Sequence, residues 1–272
     1  MPDMFEDLPA PPFRPDRPSA TAEVPVPEGD PAQVFGALGV PLPAMRVIGR
    51  TVAGQPIWSG EVEPGYPAAD LWTAARDWFP GTGWWPVLTE PRTFDGLEEA
   101  VRTAGPAIGP GEWDGVRWLD RAYTAATRDG ADFPRSPRPL TSDDLDHAGF
   151  GWADAWAVVG DEFAALTLVP APAPWLVPYL LNWWGACNYD LGGADHAAML
   201  HRWAGHWRAE LLALGLDTIT LRVDAPPRTD PDALTVALEH HLYCPDSVYQ
   251  GVETLDNLKP QTAAPLWQLW WD

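Results

Sequence analysis

"ADHAAMLHRWAGHWRAELLALGLDTITLRVD", residues 194–224, carries two hydrophobic periods in succession. Leu200, Trp203, Trp207 and Leu211 recur at helical spacing, which predicts one amphipathic helix capped at Asp195 and ending before Gly215. The period then changes to two. In "DTITLRVD" Ile219, Leu221 and Val223 alternate with Thr218, Thr220 and Arg222, which predicts a strand. A helix followed closely by a strand points to a layered α and β arrangement, with helices covering a sheet.

The same reading extends outward. "MRVIGRTVAGQPIWSGEV" (45–62) has apolar and β-branched runs on either side of Ala53-Gly54 and predicts a hairpin. "PAADLWTAARDWF" places Leu71, Trp72, Ala75, Trp78 and Phe79 on one helical face, and "GTGWWPVLTE" resumes as a strand. Helices are expected over "DGLEEAVRTAG" and "GEWDGVRWLDRAYTAAT". "AWAVVGDEFAALTLVPA" predicts two strands around a Gly160-Asp161 turn, and "PWLVPYLLNWW" a short buried helix. "TDPDALTVALEHHLYC" opens a helix with Asp230 as N-cap and Pro231 at the first helical position. "LWQLWWD" alternates like a strand.

The fold class expected is α+β, a layered α/β arrangement with a mixed β-sheet covered by helices. The helices and strands form one body or two sequential α/β subdomains. Residues 1–31 hold nine prolines and few large apolar groups, which predicts a disordered proline-rich arm. The polar, proline-rich stretch 129–146 is the best internal linker. It divides the rest into an N-terminal region, 32–146, and a C-terminal domain, 147–272.

Composition narrows the chemistry. With 38 acids against 17 bases the formal charge is −21, a field that repels phosphate backbones and disfavours nucleic acid. It attracts a basic protein partner. The uncharged run 163–189 is long enough for a bilayer, but Pro170, Pro172, Pro174 and Pro178 break it, so no membrane span is expected. Cys187 and Cys244 are the only cysteines, and with no signal peptide and an acidic start they point to a cytoplasmic protein with reduced thiols. Phosphate loops, dinucleotide fingerprints, HExxH, CxxC and GxSxG are absent, and Lys259 is the only lysine. No cofactor is expected.

"EHHLYCPDSVYQG" (239–251) concentrates the remaining reactive groups. His240 and Cys244 share a helical face and could take a metal with Cys187, although no second close pair supports them. As an enzyme, a hydrolase or transferase, the protein would use Cys244 as nucleophile, His241 as base and Asp246 as orienter, with Asn188 in the same cleft. The helix dipole opposes a thiolate at that position. The leading alternative is a helix end, with Tyr243 and Cys244 turned inward and Pro245 as the stop. His196, His201 and His206 recur every five residues, a spacing that scatters them around a helix, so surface positions are expected.

The C-terminal third carries a resemblance. "WWGACN", "RWAGHWRAELLALGLDTITLRVDAPP", "LEHHLYCPDSVYQG" and the terminal "LWQLWWD" together resemble a bacterial family known as domain of unknown function 4253, over about residues 165–272. The matching positions are Asn188, Trp203, Asp217, Pro226, Pro227, Cys244, Asp246, Gln250, Gly251, Trp270, Trp271 and Asp272. The resemblance implies a fold unit and no activity. Ligand or partner contacts are expected at Asn188, Asp224, Asp246, Gln250 and Trp270, with Asp224 placed by the rule that open α/β sheets bind at strand C-termini. The functional expectation is a non-enzymatic binding protein with an acidic surface, for instance one that neutralises a basic toxin as an immunity protein. Its oligomeric state is not readable.

Overall fold

Among the described residues seven strands form one mixed sheet in the order β1-β2-β4-β3-β5-β6-β7. They are β1 (Arg46–Arg50), β2 (Pro56–Glu61), β3 (Trp84–Thr89), β4 (Ala165–Pro170), β5 (Ala209–Leu214), β6 (Thr218–Val223) and β7 (Leu266–Trp270). The structure, a computed structural model, describes residues 13–19, 21–90, 93, 113–147 and 163–272. The expected helix over 95–105, and the strand and Gly160-Asp161 turn before β4, lie outside the described residues.

The central strands show why they are central. β3 (WWPVLT) and β4 (ALTLVP) are buried at every position, as strands covered on both faces must be. β1 and β2 form the hairpin that the sequence predicts, with Gly54 at φ 83° in the turn. Every neighbouring pair in the sheet is antiparallel except β3 and β5, whose parallel pairing covers only Leu88–Ala213 and Thr89–Leu214. Pro86 lies outside that short pairing, and its carbonyl accepts the Trp72 indole N–H at 2.9 Å.

The sheet crosses the expected boundary near residue 146. β4, from the C-terminal region, pairs with both β2 and β3 from the N-terminal one. The two regions therefore share one sheet and one hydrophobic core instead of forming sequential subdomains.

Among the described residues the α-helices of seven residues or more are α1 (Pro31–Ala37), α2 (Tyr66–Asp77), α3 (Gly115–Arg128), α4 (Gly193–Trp207), α5 (Asp230–Tyr243) and α6 (Leu255–Thr262). α2 packs on β3 and β4, and α4 on β5, while α3 leans on α4 and α5. The N-cap of α5 is Thr229, one residue before the expected Asp230; its side chain accepts from the Asp232 N–H.

Two expectations need correction. The helix predicted to run to Gly215 stops at Trp207, and Ala209–Leu214 become β5. Arg208 makes the break in the left-handed conformation, φ 55°, ψ 40°, its N–H bonded to the Trp203 carbonyl. No glycine or proline marks the point, and a short apolar run reads equally well as helix or strand.

The arm also differs over residues 13–19 and 21–31. Phe13 is buried, edge-on to Tyr123. Asp16 accepts the Gly115 N–H at the start of α3 (2.7 Å) and pairs with Arg202 (2.7 Å). The Val24 N–H reaches the Pro172 carbonyl. The arm crosses α4 so closely that a Cβ on Gly205 would lie 2.1 Å from the Arg17 carbonyl oxygen, which explains the glycine there. Composition predicts disorder because the arm has little apolar surface of its own; the body supplies the partners instead. Residues 1–12 lie outside the described residues.

Candidate functional site

β3 and β5 run parallel, so Thr89 and Leu214 mark one end of the sheet, and the antiparallel β6 and β7 bring Thr218 and Trp270 to the same end. The connecting segments meet there. The Trp183 indole N–H donates to the Gly215 carbonyl (3.0 Å), and the Trp271 N–H to the Asp217 carbonyl (3.1 Å). At Gly185 an added Cβ would lie 2.3 Å from the Leu216 carbonyl oxygen.

Asp246 is the hub of this end. One carboxyl oxygen accepts the Tyr189 hydroxyl (2.5 Å) and the Gln250 amide (3.0 Å); the other accepts the backbone N–H of Asp272 (2.9 Å). Asp246 is buried, so these neutral donors replace the water it has lost. Burial, and after it the neighbouring Asp246, push the Tyr189 hydroxyl well above the usual tyrosine range, which keeps it a proton donor. The chain end is thereby docked, with Trp271 in the core.

The residues named for nucleophilic chemistry do not converge. Cys244 ends α5 and is buried. Its thiol donates to the Trp270 carbonyl at 2.8 Å and accepts from the Ser247 hydroxyl. Burial pushes that thiol up to about 11. His241 lies against Phe133 and Tyr249, and its Nε2 meets the Asp132 carbonyl at 3.4 Å. Among the described residues no hydrogen bond joins Cys244 to His241, Asn188 or Asp246. Asn188 stands exposed in the Cys187–Tyr189 turn. A Cys-His-Asp relay needs hydrogen-bond contact, and helical spacing alone does not give it.

The metal alternative fares the same way. Cys187 is exposed while Cys244 is buried, and His240 packs between Trp203 and Trp267, its pKa pushed down to about 3 by burial, which keeps it neutral. Among the described residues no group of three or more His, Cys, Asp or Glu could hold a metal ion. Lys259 is buried too, held by Asp230 (2.8 Å) and Asp256 (3.2 Å).

Of the five contact residues expected, Asp246 and Gln250 are hydrogen-bonded to each other, Trp270 offers its carbonyl to Cys244 nearby, and Asn188 lies on the turn that carries Tyr189. Asp224 does not join them. It follows β6, which runs against β5, so it stands at the opposite end of the sheet, paired with Arg222 at 2.8 Å.

Three features escape the sequence reading. His196, expected at the surface, is fully buried; its Nδ1 meets the Tyr243 hydroxyl at 2.5 Å, and burial lowers it to about 3. Arg202 and Glu239, each 2% exposed, form a buried ion pair at 2.7 Å, and the Trp203 indole also donates to Glu239. Their shared signal is a polar residue placed within a helix's apolar face. The third is a patch: Trp184, 65% exposed, and Leu216, 56% exposed, sit at the Gly185–Leu216 contact. The Glu90 carboxyl lies beside Gly215, Asp190 and Asp217 fall on the same segments as Trp184 and Leu216, and the described segments 182–192, 215–217, 245–250 and 271–272 hold no lysine or arginine.

Comparison with known proteins agrees with the resemblance. Residues 165–272 match the model of a family described as a domain of unknown function (DUF4253). No curated protein and no solved structure matches the chain. Among the described residues no helix is long and apolar enough to cross a membrane.

Proposed function

We propose that this protein is a binding protein whose acidic sheet end docks a basic protein partner. Trp184 and Leu216, both exposed on segments that meet at Gly185 and that carry Asp190 and Asp217 but no lysine or arginine, support this reading. An exposed tryptophan is the side chain most enriched at interface hot spots, and its ring face attracts arginine and lysine. The net charge of −21 adds long-range steering toward a cationic surface. Neutralisation of a basic nuclease, in the manner of an immunity protein, is one concrete form of such binding.

The test is a surface-binding titration of the whole chain against a panel of basic proteins, with acidic and neutral proteins of similar size as controls. Low-salt binding to basic members that weakens steeply on adding salt is expected, with loss of about tenfold in affinity for Trp184→Ala. Binding to no basic member at low salt, or equal binding to the controls, overturns it.

A further inference from the structure

The opposite end of the sheet holds a cleft with a volume of about 130 Å³, lined by Thr21, Arg76, Ala204, Arg208, Glu210 and Asp224 among others. That is well under the roughly 300 Å³ of pockets that take drug-sized ligands, so only a small molecule or group fits. The cleft is polar and its wall is completed by the arm, whose Thr21 hydroxyl reaches Glu210 at 3.4 Å.

Its acids are already engaged. Both Glu210 oxygens are taken by Arg76, Nε at 2.9 Å and a terminal nitrogen at 2.9 Å. One oxygen of Asp224 is held by Arg222 at 2.8 Å. Arg208 is the exception: its guanidinium donates no hydrogen bond among the described residues, and its nearest acid, Asp224, is 3.9 Å away. Arg76 has no donor to spare, since its third nitrogen is held by Asp77 at 3.0 Å, so what the cleft offers is the fork-shaped donor set of one guanidinium, Arg208.

The backbone points the same way. Arg208 sits at φ 55° just past the end of α4, the position where glycine is favoured because it has no Cβ to clash. An arginine here puts a cation beside the helix C-terminus, which the dipole favours, but the same charge could sit one turn earlier without strain. Strain of this kind persists where the side chain is needed in place.

We propose that this cleft binds a small oxyanion, a carboxylate or phosphate group, with Arg208 as its principal ligand and Arg76 fixed beside it by Glu210. Planar bidentate pairing with a guanidinium is the geometry such groups prefer. The site stands apart from the acidic end, so it does not depend on the partner reading.

Arg208→Gly is the decisive variant, since it removes the guanidinium while giving the left-handed position its preferred residue. Its thermal midpoint without ligand should equal or exceed that of the original chain. Titration calorimetry with inorganic phosphate, and separately with succinate, at constant ionic strength should show saturable one-site binding to the original chain. Arg208→Gly should lose about tenfold or more in affinity, and Arg208→Lys should fall between. Heat from phosphate alone assigns a phosphate group, and from succinate alone a carboxylate. No saturable heat with either, or undiminished binding in Arg208→Gly, overturns the proposal.

Discussion

The two ends of the sheet hold their carboxyl groups by different means. At the Arg208 end, acids are paired with cations: Glu210 with Arg76, Asp224 with Arg222, and nearby Glu239 and Asp16 share Arg202. At the other end Asp246 meets, among the described residues, only neutral donors, a phenol, an amide and a backbone N–H. The first arrangement neutralises charge and stiffens a cleft; the second satisfies hydrogen bonds and leaves the negative field in place.

The largest effect tests whether either end survives without the strand that joins the two halves of the sheet. The family match begins at Ala165, the first residue of β4, yet β3 from outside the match lies between β4 and β5. A fragment of residues 165–272 of this chain should show no cooperative thermal transition, because β4 would have no neighbour linking it to β5. A cooperative melt of the fragment would mean that the matched strands re-pair without β3.

Next is Glu239→Gln, which leaves the buried Arg202 guanidinium with Asp16 as its only acid. A loss of about 3–5 kcal/mol is expected from denaturant unfolding. Acid should then cost somewhat less. His196 and His240 are held neutral in the fold, at about 3, against an ordinary value near 6.5 when unfolded. Between those values the unfolded chain binds protons that the folded one refuses, so stability falls as pH falls. From neutrality down to about pH 5.5 the two together should remove about 3 kcal/mol, and replacing both by phenylalanine should flatten that slope.

Asp246→Asn turns an amide donor toward existing donors and should cost about 1–3 kcal/mol, and Tyr189→Phe about 1 kcal/mol. If Asp246→Asn proved as damaging as Glu239→Gln, the contrast between neutral and charged ties would fail.

Local pattern carried much of this fold. The β1–β2 hairpin, α2, α5 and β7 follow from period, turn residues and caps that lie within a few positions of one another. What stayed illegible depends on distant partners. Nothing near Arg208 announces that the chain stops being helical; β5 exists because β3 and β6 are there to pair with it. The insertion of β4 between β2 and β3 leaves no trace in either segment. At the candidate site, the residues Asp246, Gln250 and Trp270 could be named, but their partner Tyr189 could not, since it comes from 57 residues upstream. His196 looked like a surface residue because spacing along one helix is silent about the Trp183 and Trp271 rings that close over it.

The two-residue parallel pairing of β3 with β5 has a mechanical side. It divides the sheet into two antiparallel plates, four strands and three, riveted at Leu88–Ala213 and Thr89–Leu214 and bolted by the Trp85 indole on the Leu211 carbonyl. Glu90 and Leu216 overhang that joint from opposite plates, so whatever grips both of them works as a clasp across the line along which the molecule would tear under load.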